Sequence, residues 1–252
     1  MTNAHRFHVI DLLLLGMLVL PATSWAQKAP IAEQIAKTYG LDSFSQIEAI
    51  RYTFNTQGAF NISRTWVWEP KTGQVSYDGK DKAGKPLKVT YLRSEASSQP
   101  AVVKEEIDAA FINDQYWLVF PFHLLWDTDA KVEDTGMHKL PLGKGSAVRV
   151  VVTYPAAAGG YQPGDIWELF IGPDNRIEEW VYHNGGKAKP SGMWTWVEYK
   201  KAGPLVVSTN HHGTIFALPG AAKPLPEGKP LRVFFTDVAV KLAGSDAWVK
   251  AQ

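Results

Sequence analysis

From Glu48 to Leu242 the chain repeats the two-residue period of β-strands, and it breaks that period once. In EAIRYTFN, Ile50, Tyr52 and Phe54 alternate with Arg51 and Thr53. In NISRTWVWEPKTGQVSY, Ile62, Arg64, Trp66 and Trp68 share one face, and Pro70 to Gly73 turns the chain into a partner at Gln74 to Tyr77. Successive strand residues point to opposite faces, so these patterns predict strands. Further strands are expected at Leu87 to Leu92, Lys131 to Leu140, Ala147 to Tyr154, Asp165 to Ile171, Arg176 to His183, Met193 to Tyr199, Leu205 to Ala217 and Leu231 to Leu242. Turn chemistry separates them: Ala158-Gly159-Gly160, Gly172 to Asn175, Asn184 to Gly186, and Pro219-Gly220 with Pro224 and Pro226. About eleven strands at hairpin spacing make an antiparallel sheet the natural product.

The interruption is PAVVKEEIDAAFINDQYWLVFPFHLLWD. Val103, Ile107 and Ala110 recur at helical spacing, which predicts a helix to about Asn113. A second helical or irregular piece is expected to follow, broken at Pro121, because proline lacks the N–H that a helix interior needs. A short helix is also expected in PIAEQIAKTYGLDSF, opened by Pro30 and ended by Gly40. Strands such as Ile166 to Ile171 and Met193 to Val197 are apolar on both faces, so something must cover the second face. The helical segments are the available cover. The fold expected is mainly β: a strongly curved antiparallel sheet, a half-open barrel, covered by two or three helices. A two-sheet sandwich competes with it.

The N-terminus reads as a secretory signal peptide. Arg6 supplies the positive region, Val9 to Leu20 the apolar run, and Ser24-Trp25-Ala26 the small residues that predict cleavage after Ala26. The remainder, 27–252, is expected to form one domain in the periplasm, with no membrane span of its own. With no cysteine, the chain has no lipid-modified anchor, disulfide or thiolate metal site. Its net charge of +1 is too small to gather nucleic acid or an anionic membrane surface. Aromatic residues make up 12% of the chain, and ten are tryptophans. Such side chains suit a large core or a cavity for an apolar ligand.

The signal peptide, the N-terminal helix, the long antiparallel strands and the single helical interruption together resemble the LolA/LolB-like superfamily, over most of Ala29 to Lys250. SRTWVWEPKTGQV, NDQYWLVFPFHLLWD and RIEEWVYHNGG are also similar to a group of uncharacterised secreted bacterial proteins. The resemblance implies an incomplete barrel with an apolar concave face, helices acting as a lid, and a cavity that receives acyl chains. It carries no individual binding residue. The abundance of tryptophan departs from a lipoprotein-sorting carrier.

Trp66 and Trp68, with Arg64 in register, could line a ligand wall, with Arg64 holding an anionic head group; as core residues they would form an aromatic layer under a stacked or snorkelling arginine. Tyr116, Trp117, Phe120, Phe122 and Trp126 are candidates for a lid over the same cavity or for a core plug. The uncharged run between Asp114 and Asp127 has 12 residues, short of the ~18 that a membrane-spanning helix needs. An interfacial insert would be fitted by the aromatics but lacks basic residues inside the run. His123 sits inside this run, where a histidine is ordinarily hydrogen-bonded within the core. His211 and His212 are neighbours on a strand and face opposite sides, so they cannot hold one metal together. There is no G-x-S-x-G, no H-E-x-x-H, and the glycines around Lys144 lack phosphate-loop spacing. No residue pattern requires a cofactor or a metal. The function expected is binding or carriage of a hydrophobic small molecule or lipid. An envelope interaction module with a filled core and a secreted hydrolase using a cavity histidine or carboxylate are the alternatives.

Overall fold

The computed structural model describes residues 29–157, 162–217, 225 and 227–252. The signal-peptide stretch and the turns at Ala158-Gly159-Gly160, Pro219-Gly220, Pro224 and Pro226 lie outside the described residues.

Helix α1 (Pro30–Thr38) has Pro30 in its first turn and buries Ala32, Ile35 and Ala36. It ends at Gly40, whose φ of 104° suits glycine and whose Cβ position would fall 2.5 Å from the Pro204 carbonyl oxygen. The strands follow: β1 (Ile47–Gly58), β2 (Ile62–Glu69), β3 (Gln74–Lys80) and β4 (Pro86–Leu92) before the helical interruption. After it come β5 (Lys131–Lys139), β6 (Ser146–Thr153), β7 (Ile166–Ile171), β8 (Ile177–His183), β9 (Gly192–Thr195), β10 (Val197–Ala202), β11 (Leu205–Ile215), β12 (Lys229–Leu242) and β13 (Trp248–Lys250).

They form one open antiparallel sheet in the order β4-β3-β2-β1-β12-β11-β9-β8-β7-β6-β5, with β10 beside β11 and β13 beside β12. The mainly-β architecture read from the two-residue period is the one observed. The 13 strands exceed the expected eleven for local reasons. The stretch Met193 to Tyr199 is two strands, because the ladder is interrupted at Trp196; just beyond, inside β10, Glu198 takes a left-handed φ of 57°. Strand β13 spans three residues, too few for a periodic signal.

The interruption also differs from expectation. A π-helical stretch, Val103–Ile107, runs straight into α2 (Asp108–Trp126), and the helix does not stop near Asn113. Its break falls at Val119, with φ −122° and ψ 17°, two residues before Pro121. Proline cannot donate to the Trp117 carbonyl and crowds it, so the backbone distorts there while burial keeps both halves on one path.

Helix α2 is apolar around its circumference, and such a helix must be buried on all sides. Phe111 meets Trp66 on β2 at 5.4 Å between ring centroids, and Phe120 meets Trp167 on β7 at 5.2 Å. Those strands are six places apart in the sheet, ~29 Å if it were flat. The sheet therefore curls around α2, and one contiguous core joins α1, α2 and both arms. No helix among the described residues is long and apolar enough to cross a membrane.

Candidate functional site

The concave face holds an aromatic interior whose parts are set by strand period. On β8 Trp180, on β7 Trp167, on β9 Trp194 and on β11 His211 all turn inward. Trp196, released by the break after β9, joins them, and His212 faces outward. Trp117 of α2 packs edge-on against Trp180 at 4.7 Å and Trp194 at 4.9 Å, and lies 5.4 Å from His211. Phe120 closes on Trp167 and Trp180.

The polar atoms of this interior fall into two groups. Trp66 Nε1 donates to Asp114 Oδ2 at 2.9 Å, and Trp194 Nε1 donates to the Leu231 carbonyl at 3.0 Å. In contrast, the buried Nε1 atoms of Trp167, Trp180 and Trp196, His211 Nε2 and the Tyr52 hydroxyl have no partner. His211 Nδ1 lies 3.2 Å from the Thr195 carbonyl, an acceptor, so Nδ1 carries the proton and Nε2 presents a bare lone pair. Burial pulls the His211 imidazole down to about 3, and it stays neutral.

Three acidic residues tie α2 to the sheet. Asp108 accepts from Tyr91 on β4 and from Arg93. Asp114 is buried and pairs with Arg64 at 3.1 Å; the Arg64 Nε–H does not point along that line, so the contact is an ion pair and not a hydrogen bond. Burial pushes the Asp114 carboxyl up to about 6, against the pull of Arg64 and the hydrogen bonds from Asn113 and Trp66. At the far end, Asp127 accepts from Tyr116, from Tyr154 just after β6 at 2.7 Å, and from His123 Nδ1 at 3.0 Å. Burial acts to raise the Asp127 carboxyl, but those three hydrogen bonds prevail and hold it below the usual carboxylate range. Hydrogen bonds to a charged group are worth ~1.5–3 kcal/mol each in place of the neutral bond's smaller value. Asp127→Asn is expected to cost roughly 2–3 kcal/mol in a urea titration at neutral pH.

The residues singled out from sequence divide accordingly. Trp66, Phe120 and Phe122 are interior, and Tyr116 and Trp117 are nearly so. Trp68 and Trp126 are half-buried and meet Phe44 between them at 6.2 and 4.7 Å. Arg64 serves Asp114 and lies 5.5 Å over the Phe54 ring. What sequence reasoning missed is the β-side of the interior: Trp167, Trp180, Trp194, Trp196 and His211. Their inward parity was legible, but nothing in one strand says which of its two apolar faces is concave.

Among the described residues two histidines pair with carboxylates, His123 with Asp127 and His183 with Glu168. His123 has both nitrogens engaged, Nδ1 with Asp127 and Nε2 with Gln115 at 3.0 Å. His183 lies between the Lys187 carbonyl and Glu168, which also pairs with Arg149. A general base needs a ring nitrogen free to face its substrate, and neither ring offers one in this conformation. Among the described residues no group of three His, Cys, Asp or Glu side chains is placed to hold an ion.

No family model matches the chain, and no curated protein matches it. Among solved structures it is similar to a DUF1329 family protein from Desulfovibrio piger, with TM-score 0.44 and 7% identity over 86% of this chain and 94% of that one. It is similar also to the LolA superfamily protein NE2245 from Nitrosomonas europaea, with TM-score 0.45 and 9% identity over 83% and 93%. A third is the Mycobacterium tuberculosis lipoprotein LppX, with TM-score 0.28 and 9% identity over 83% and 96%. At these scores the likeness carries nothing about a ligand.

Proposed function

We propose that the protein is an exported, periplasmic binding or carrier protein for an apolar or acyl-containing ligand, which it takes up on the concave face by displacing part of α2. The observation that supports this is the way α2 is held. It fills the space a guest would occupy, yet the polar ties to the sheet start from Asp108 and Asp114 in its first half and from Asp127 just past its C-terminal end. Between them Trp117 to Phe122 contact the sheet through apolar surface, and the helix is already broken there. A broken helix held by non-directional contacts can exchange those contacts for an acyl chain with little net loss. Half-exposed Phe44, Trp68 and Trp126 stand at the edge of this region. The stretch from Arg6 to Ala26 supports export.

Native mass spectrometry and solvent extraction of protein purified from the periplasm test the reading. Bound apolar compounds, or uptake of an added fatty acyl chain, are the expected result. A protein that emerges unliganded and takes up no acyl chain overturns it. Pro121→Ala is expected to restore the Trp117 hydrogen bond and stabilise α2 by ~1–3 kcal/mol. It should raise Tm and slow guest exchange.

One observation favours a second reading, an interaction module with a filled core. Trp66 and Phe120 are 0% exposed and Phe122 is 1% exposed, so α2 packs as a permanent core element would. Trp66→Ala and Trp126→Ala together separate the two.

A further inference from the structure

Buried polar groups are almost always hydrogen-bonded, so a cluster of unpartnered ones calls for an explanation. Here they are contiguous. Trp167 touches Trp180 at 4.6 Å, Trp180 touches Trp196 at 5.0 Å, and Trp196 touches His211 at 4.8 Å. His211 reaches Phe235 at 6.0 Å, and Phe235 reaches Tyr52 at 5.7 Å. Every member of this run except Phe235 carries an unpartnered atom. Two further interior indoles, Trp66 and Trp194, have partners, so tryptophan is not unpartnered here as a rule.

The atoms on offer are indole N–H donors and one imidazole lone pair, with a phenol beyond. None of the rings in contact with His211 is charged. We propose, building on the carrier reading above, that this run recognises a hydroxyl group on the apolar guest, its O–H donating to His211 Nε2 and its oxygen accepting from Trp180 or Trp196 Nε1. A hydroxyl is the group that serves both kinds of atom at once. An ether or ketone oxygen accepts from an indole but leaves the lone pair bare. A carboxylate would meet that lone pair and no cation, because Arg64 is committed to Asp114. An ammonium would meet indole N–H groups and no anion. The neutral state of His211, buried as it is, keeps the acceptor available at neutral pH.

The test compares three probes of matched length on the full protein: decan-1-ol, 1-methoxynonane and decanoate, with affinities read from tryptophan fluorescence at neutral pH. The alcohol is expected to bind about tenfold more tightly than the ether, the worth of one buried hydrogen bond and its otherwise unpaired acceptor. Decanoate should bind more weakly still. His211→Phe keeps an aromatic ring of similar shape and should erase the alcohol–ether difference while still binding both. If that variant does not fold, Trp196→Phe and the wild-type series carry the same test. Equal binding of alcohol and ether by wild type overturns the hydroxyl proposal and leaves the carrier reading standing, with a buried water as the partner of His211. Failure of all three probes to bind overturns both.

Discussion

Asp114→Asn makes the protein's stability rise more steeply with pH than the parent's between about 4 and about 6. Two buried groups produce opposing slopes. Native Asp114 keeps its proton up to about 6, whereas the unfolded chain releases it near 3.8. The native state therefore binds more protons in that window, and stability falls as pH rises through it, by about 3 kcal/mol in all. His211 acts the other way. The unfolded imidazole takes a proton near 6.5, and the native one resists until about 3. Stability from this group is complete above 6.5 and is lost on acidification, by roughly 5 kcal/mol. Between 3.8 and 6 the two slopes oppose each other. Relative to the parent, removing the carboxyl steepens the rise of stability with pH between about 4 and 6, and His211→Phe removes the rise that His211 contributes between about 3 and 6.5. Urea titrations at half-unit intervals from pH 3.5 to 7 measure both, and comparison with the parent cancels the remaining groups. Unchanged slopes in both variants would mean that neither group titrates as its burial requires.

The second large effect is Trp66→Ala. Trp66 is fully enclosed by Tyr77 and Phe111, and its indole N–H serves the buried Asp114. Truncation is expected to cost about 3–5 kcal/mol from the lost contacts and the cavity. The carboxylate also loses a donor, which places the result at the upper end. Trp126→Ala removes a half-exposed ring that packs on Phe122 and Phe44, and is expected to cost no more than ~2 kcal/mol. Binding separates the functional readings. In a carrier, Trp126→Ala weakens uptake of an acyl probe by several-fold while the protein remains folded. In a filled-core module both variants lose stability in proportion to burial, and neither parent nor variant takes up the probe.

Much of the architecture was legible because strand signals are local. The alternation in EAIRYTFN and NISRTWVWEPKTGQVSY needs no partner to be recognised, and β1, β2 and β3 follow it closely. Two-sided apolar strands such as IWELFI demanded cover on both faces: α2 covers the face of Trp167, Leu169 and Ile171, and Leu140 and Met193 pack with Phe170, Ala147 and Val181 on the other. The path of α2 was less legible. Propensity places a stop near Asn113 and a break at Pro121, but the helix continues because Asp114, with its partners Arg64 and Trp66, fixes it at the point where it was expected to end. The site was legible on one side only. Trp117 and Phe120 stood out in an apolar run, whereas His211 looked like half of an ordinary histidine pair.

The sequence by itself determined the strand content, the antiparallel pairing and the need for one apolar helical cover, since these follow from residue period, turn chemistry and the requirement to bury apolar faces. It determined too that no thiol chemistry takes part. Only the tertiary structure decided that Arg64 pairs with Asp114, that Asp127 gathers His123, Tyr116 and Tyr154, and that three indoles and an imidazole keep unpartnered atoms in one contiguous run. Apart from His123 and Tyr116, which reach Asp127 from the helix it caps, those contacts join residues on different elements. Which of them meet depends on how the curled sheet closes around α2, and that curl is a property of the whole sheet and not of any strand within it.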